Sequence, residues 1–511
     1  MTDDGSWTLV VWRDGCDHPD LSDEYGEGFV VRSCGRFDTA LFGKKPLDYS
    51  VDVTANVASF EVVDGVFGPS TFYSRARVSV PCKKEGPATV VCDRDALGCV
   101  NLLCCKASAW IVITTSAVPR TLLSEPWMES FECLDVSPRV ITTFTLASSE
   151  PVVTMTVTEP LPDKSILYWL GGGRSSELIQ PPASDSPLAT HKGLAALGLV
   201  ERLLTVLDGV VRKELAQEAV SRRIAECHSV RVLFSGGLDS TVVTAILARC
   251  LPPDVMIHLI NIAFELPSSS SKKNSYEDVP DRQSGRESFA DLQKQFPERT
   301  WQFHAVNVTK AEADAAIQHI VDLLKPSDTN MDVSIGMAMW FAARHDVLPV
   351  EKDSARIASP PPLFLGQGSD EQFGGYMRFR HDFKTGGWKG LNDALVADME
   401  RLWQRNLGRD GRVLGDCGNT VQCTCYPFLE HDFCAFLSSI PLWLVADLTQ
   451  PAGTGDKFLL RALAEQLGLA TCTNLAKRAI QFGSRIAKLM TSDKQCTKRE
   501  ARSCGADKFS V

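Results

Sequence analysis

The sequence predicts an α/β protein whose second half is built on a parallel sheet and whose first half is β-rich. Three observations predict it. From Val230 onward, short apolar runs alternate with helical stretches, the pattern of a sheet covered on both faces. The first of those runs joins a helix through a glycine turn, Arg231-Val-Leu-Phe-Ser-Gly-Gly-Leu-Asp-Ser-Thr241. Before residue 165, β-rich runs are punctuated by Gly, Pro and Asp with little helical periodicity, as in antiparallel sheets.

Composition bounds the answer. A chain of 511 residues is too long for one core and calls for two domains. The expected division is a β-rich domain over 1–188, an α/β domain over 189–492 and a basic polar tail over 493–511. Hydrophobic content of 44% with 23% charged residues is that of an ordinary globular protein. A net charge of −10 argues against broad nucleic-acid binding. No apolar run approaches the ~20 residues that span a bilayer. The start, MTDDGSW, is acidic and polar and shows no secretory or transit signal, so a cytoplasmic location and no membrane partner are expected. Seventeen cysteines are scattered without the spacing of a disulfide framework or zinc site.

In chain order, the β-rich runs include Trp7–Trp12, Val51–Val63, Thr89–Val91, Ala109–Thr115, Val140–Leu146 and Pro151–Val157. Leu161 to Pro187 is rich in Gly, Ser and Pro and reads as loop and linker. A long amphipathic stretch from Leu194 to Ile224 leads into the Val230–Phe234 strand. Thr241–Arg249 then reads as a buried helix and Val255–Phe264 as the next strand. Residues 268–288 are so polar that they read as a loop. Helix follows at Phe289–Phe296, strand at Trp301–Val308, helix at Lys310–Leu324 and strand at Leu363–Leu365. After Asn392 the pattern is mostly helical to about Leu489.

The glycine turn carries the chemistry. Strand, turn and helix N-terminus together present several backbone N–H groups to an anion. Gly236 and Gly237 let the backbone approach phosphates closely. Ser235, Ser240 and Thr241 add hydroxyl donors, and Asp239 can hold Mg²⁺. No lysine follows the glycines, so this is not the GxxxxGK[ST] loop. It resembles the SGG-x-D-S loop of the N-type ATP pyrophosphatases.

Further blocks follow in order: PDRQSGRES at 280–288, PSDTNMDVSIGMAMWFAAR at 326–344 and GQGSDEQFGGYMRFR at 366–380. LWQRNLGRDGRV, YPFLE and GDKFLLRALAEQLGL continue the series from 402, 426 and 455, and KRAIQFGSRIAKL closes it at 489. With these blocks the chain resembles the asparagine synthetases, and more closely the asparagine synthetase domain-containing family, over roughly 200–489. The resemblance implies ATP and Mg²⁺ as cofactors. Aspartate would be activated as an acyl-adenylate and then amidated by ammonia or glutamine.

By the same resemblance, Ser235, Gly236, Gly237, Asp239 and Ser240 match the pyrophosphate loop, and Phe234, Ile262, Leu365 and Gly366 match positions that embrace the nucleotide. Asp370 matches the acidic residue that binds Mg²⁺ and pyrophosphate, with Glu371 beside it. Lys477 or Arg478 would supply positive charge near the α-phosphate. Two positions depart from the family. Gln367 stands where a glutamate would deprotonate the incoming ammonium, and an amide is no general base. The start Met1-Thr2-Asp3 lacks the cysteine nucleophile of the glutaminase half, and the first cysteine is Cys16. Residues 1–165 are therefore expected to be a degenerate glutaminase-like fold, kept for packing, a homodimer or a partner protein.

Two other readings stand beside the ligase. One is a catalytically weakened nucleotide-binding regulator. The other keeps adenylation but changes the acceptor, as in β-lactam synthetase or RNA-modifying relatives, and the acidic charge opposes RNA. His304, His319 and His345 stand singly and read as core or surface imidazoles. The 268–288 stretch is expected to fold over nucleotide, with Arg282 or Arg286 on a phosphate.

Overall fold

The computed structural model describes twelve strands between Trp7 and Thr158, then residues 174–181, 191–265, 276–327, 329–344, 360–416 and 423–491. Thr2, Cys16, His345, Cys496, Cys504, residues 266–275 and the 493–511 tail lie outside the described residues.

The first six strands are β1 (Trp7–Arg13), β2 (Val30–Cys34), β3 (Phe37–Gly43), β4 (Asp48–Val53), β5 (Val57–Asp64) and β6 (Ser74–Pro81). They are followed by β7 (Ala88–Arg94), β8 (Leu103–Ala107), β9 (Trp110–Thr114), β10 (Glu132–Asp135), β11 (Ile141–Leu146) and β12 (Val153–Thr158). They form two six-stranded sheets, in the orders β10-β8-β9-β1-β3-β2 and β12-β11-β7-β6-β5-β4. Pairing is antiparallel throughout. On β7, Val90 and Cys92 are fully buried while Thr89 and Val91 are not, the period of two that one buried face imposes. The long run Val51–Val63 divides into β4 and β5.

The second half holds a five-stranded sheet of β13 (Ser229–Leu233), β14 (Met256–Phe264), β15 (Trp301–Val308), β16 (Leu363–Phe364) and β17 (Thr424–Cys425), in the order β15-β14-β13-β16-β17. Each pairing is parallel. β13 and β14 are nearly continuous apolar runs because helices cover both faces. Arg231 is tolerated in β13 because its guanidinium donates to the carbonyls of Pro361 (3.0 Å) and Ala343 (3.1 Å). The chain runs β13, β14, β15 to one side and then crosses back to lay β16 on the other side of β13. That reversal opens a crevice at the carboxyl ends of β13 and β16, where open α/β sheets bind ligands.

Several elements differ from expectation. The 268–288 stretch is not all loop: the helix Pro280–Gln295 begins inside it, started by Pro280 and by Asp281 in its first turn. Arg282 is fully buried and donates to Asn261 Oδ1 (2.7 Å) and Asn307 Oδ1 (2.9 Å). Arg286 lies over the Phe303 ring at 4.4 Å. Neither arginine faces the crevice. The helical region begins at Met377 rather than Asn392, as the helix Met377–Leu402. Within the stretch read as linker, buried Arg174 donates to the carbonyls of Ile440 (2.8 Å) and Leu437 (3.0 Å). Among the described residues no helix is long and apolar enough to cross a membrane.

Candidate active site

The crevice is built from three segments far apart in sequence. The first follows β13. Gly236 has φ +74°, and a Cβ there would lie 2.3 Å from the carbonyl carbon and oxygen of Ser284, so only glycine fits. Ser284 and Ser288 donate to the carbonyls of Ser235 (2.9 Å) and Gly236 (2.8 Å), fixing the turn against the helix Pro280–Gln295. Gly237 caps the helix Leu238–Cys250, whose first-turn N–H groups have no partner within the helix. Ser240 and Thr241 turn their hydroxyls onto the Gly237 carbonyl, at 3.3 and 2.8 Å.

The second segment follows β16. Gly366 lets it approach the first: a Cβ there would lie 2.8 Å from Asp239 Cβ. Ser369 Oγ donates to Asp239 Oδ1 at 2.8 Å. The short helix Ser369–Phe373 brings in Asp370 and Glu371, both buried. Glu371 Oε1 accepts from Tyr376 Oη (2.6 Å) and Asn406 Nδ2 (2.8 Å). Asn406 and Arg405 sit on a π-helical turn, Trp403–Leu407, a local widening often found at functional sites.

The third segment supplies cations. Lys457 Nζ stands 2.6 Å from both carboxylate oxygens of Asp239 and 2.7 Å from Asp370 Oδ1. Lys477 Nζ pairs with Asp370 Oδ2. Lys477 and Arg478 lie on a segment without regular secondary structure, just before the helix Ile480–Gly483. Arg478 turns instead toward Asp281, at 3.8 Å.

Together these enclose a cavity of about 460 Å³ lined by Ser235, Gly237, Asp239, Ser240, Leu365, Gly366, Asp370, Lys477 and Arg478. Phe234, Gly236, Ile262 and Glu371 are not in its wall. Phe234 and Ile262 are buried, and the Phe234 carbonyl accepts from Asn261 Nδ2 (2.9 Å).

Burial and charge set the titrations. Burial would raise the Asp370 carboxyl, but Lys457 and Lys477 outweigh it and hold it down to about 2. Glu371 is raised by burial and by neighbouring Asp370. Burial opposes the charge on Lys477, yet Asp370 and Asp239 raise it above the ordinary lysine value. Burial pushes Asp281 up to about 7 against the pull of Arg478 and Lys477.

Residues 211–410 match the asparagine synthase family. This domain belongs to the asparagine synthase family. The chain is 36% identical over 344 residues to asparagine synthetase domain-containing protein 1 of Mus musculus, covering 60% of this chain and 54% of that one. It is 38% identical over 263 residues to an asparagine synthetase domain-containing protein of Drosophila melanogaster, covering 50% and 44%. A glutamine-hydrolyzing asparagine synthetase of Gallus gallus is 25% identical over 279 residues, covering 54% of this chain and 43% of that one. The chain thus spans about half the length of the curated relatives it matches.

Within the asparagine synthase domain the loop before Asp370 holds Gln367 on the cavity wall. The residues present fit a triphosphate held with a divalent cation. Gly237 and Ser240 line the cavity where the first turn of the helix Leu238–Cys250 begins, and oxygens of Asp239 and Asp370 converge on one point, now taken by Lys457 Nζ. Among the described residues no group of three or more His, Cys, Asp or Glu is arranged to hold a metal alone. A Mg²⁺ held by one or two carboxylates and completed by phosphates needs no such group.

Sequence reasoning missed Lys457, Asp281 and Asn406 as site residues. The GDKFLLR block containing Lys457 was visible, but nothing in it shows that its ammonium reaches residues 239 and 370. Asp281 lies in the 268–288 stretch that reads as a polar loop.

Proposed function

We propose that the asparagine synthase domain activates the side-chain carboxylate of aspartate with ATP and passes it to ammonia. The observation that supports it most is the meeting of Asp239 and Asp370 with Lys457 and Lys477 beside the phosphate-type turn. Asp239 and Asp370 would hold the Mg²⁺ that neutralises the β- and γ-phosphates. The aspartate carboxylate oxygen attacks the α-phosphorus, the bond to the bridging oxygen breaks, and pyrophosphate leaves. Lys477 would stabilise the charge that develops on the α-phosphate. Ammonia then attacks the acyl carbon, expels AMP, and gives up its extra proton. Arg405 and Arg378 at the cavity supply positive charge for the remaining carboxylate of a dicarboxylic acceptor. The two antiparallel sheets of the first half fit a degenerate glutaminase-like domain that packs or binds a partner. Cytosol is the location this reading assigns.

A second reading draws on one observation. Gln367 lines the cavity as an amide, so the chain can be a nucleotide-binding regulator whose amidation step is lost. Pyrophosphate release from ATP and Mg²⁺, with and without aspartate, separates the two. Aspartate-dependent release that disappears in Asp239→Ala supports the ligase. ATP binding without release leaves the regulator.

A further inference from the structure

Lys457 belongs to the charge cluster but has no step of its own in the reading above, yet the fold goes to some length to place it. It is a non-glycine residue with φ 55° and ψ 36°, a left-handed conformation that persists only where the surroundings impose it. Its N–H donates to the Phe373 carbonyl at 3.0 Å, tying it to the end of the helix that bears Asp370. Its side chain is 3% exposed. Gly375 makes room for it: a Cβ there would lie 2.3 Å from Lys457 Cε and 2.1 Å from Asp370 Oδ1. The ammonium so placed touches three oxygens of two carboxylates that belong to the first turns of different helices.

We propose that Lys457 is an internal cation filling the space between Asp239 and Asp370 when no nucleotide is bound, so that divalent metal enters only together with the triphosphate. The inference rests on the reading of the cavity as a site for Mg²⁺ and ATP. Two carboxylates face two ammonium groups, Lys457 and Lys477, and the cluster is balanced. A bare divalent cation entering it would meet Lys457 at the same oxygens, in a buried place where like charges repel strongly. The triphosphate brings enough negative charge to reverse this. It gives Lys457 new acceptors, frees the Asp239 and Asp370 oxygens for the metal, and completes the metal's shell with phosphate oxygens. Lys457 thereby couples metal and nucleotide binding, each raising the affinity for the other by the same factor.

Mn²⁺ is the probe, with α,β-methylene-ATP as the nucleotide that cannot be cleaved at the reacting bond. Protein-bound Mn²⁺ is counted by electron paramagnetic resonance on the full chain. The wild type should bind Mn²⁺ about 100-fold more tightly with the analogue than without it. Lys457→Met leaves the carboxylates in excess, so it should bind Mn²⁺ without nucleotide and gain thermal stability from it. Adding Asp239→Asn should abolish that gain, and Lys457→Arg should behave as wild type. A merely structural lysine would leave Lys457→Met destabilised with no rescue by metal. Equal Mn²⁺ affinity of the wild type without the analogue and with the analogue bound overturns the inference, whether or not Lys457→Met folds. Failure of the wild type to bind the analogue at all would sink the nucleotide reading instead. Lys457→Met gaining Mn²⁺ would in that case still uphold the internal cation.

Discussion

Lys477 and Arg478 are neighbours in sequence with opposite surroundings, and that contrast is testable. Lys477 Nζ is committed to Asp370, whereas the Arg478 side chain on the same cavity wall is 45% exposed and faces Asp281. Lys477→Met should cut pyrophosphate release by about 10²–10³-fold, the scale of losing one preorganised charge in a transition state. Arg478→Met should cost less than about tenfold, and initial-rate assays of the two side by side decide it. Asp281 makes a second prediction. In the folded protein it holds its proton up to about pH 7, while an unfolded aspartate releases it near ~4. Between those values the folded state carries the extra proton, so this group's contribution falls as pH rises through the window. The full span is on the order of 4 kcal/mol. Asp281→Asn should remove that dependence: its stability relative to wild type, measured in urea, should be higher at pH 8 than at pH 5. A flat difference would show that Asp281 is ionised in the fold.

Elements differ in how much glycine they require. At the β13 turn, Gly236→Ala forces both a positive φ and a clash with the Ser284 backbone. It should destabilise by about 1–3 kcal/mol and abolish ATP binding by calorimetry. In the helix Leu199–Ala216, a Cβ at Gly209 meets nothing within 4 Å, so Gly209→Ala should stabilise by about 0.5–1 kcal/mol and leave binding unchanged. Most of these elements were legible in the sequence. β15 and the helix Lys310–Leu324 fall at their expected bounds, because apolar periodicity and the Thr309–Glu312 capping box are local signals. The helix Pro280–Gln295 was misread because its polarity looks like solvation. Its buried arginine is instead satisfied by Asn261 and Asn307, residues of other elements. Lys457 was missed for the same reason: its φ and its two carboxylate partners are tertiary facts.

At the scale of the molecule, the site exists only because the sheet reverses its strand order. Asp239 and Asp370 lie in the first turns of two helices, 131 residues apart, and they meet because β13 and β16 are neighbours with Val232 opposite Phe364. Ligand binding should therefore protect both segments at once. Hydrogen exchange with Mg²⁺ and ATP should slow the amides of 235–241 and 366–376 together, while the far edge strand β15 stays unchanged. The same ligand at about 100 times its dissociation constant contributes ~2.7 kcal/mol. At roughly 2–4 °C per kcal/mol for a domain of this size, the transition of the second half should rise by about 5–10 °C. Asp239→Ala should show neither effect. Protection confined to the first segment would mean that nucleotide binds without drawing Asp370 in. That outcome would favour a regulator over a ligase, since adenylation needs charge from both sides of the crevice.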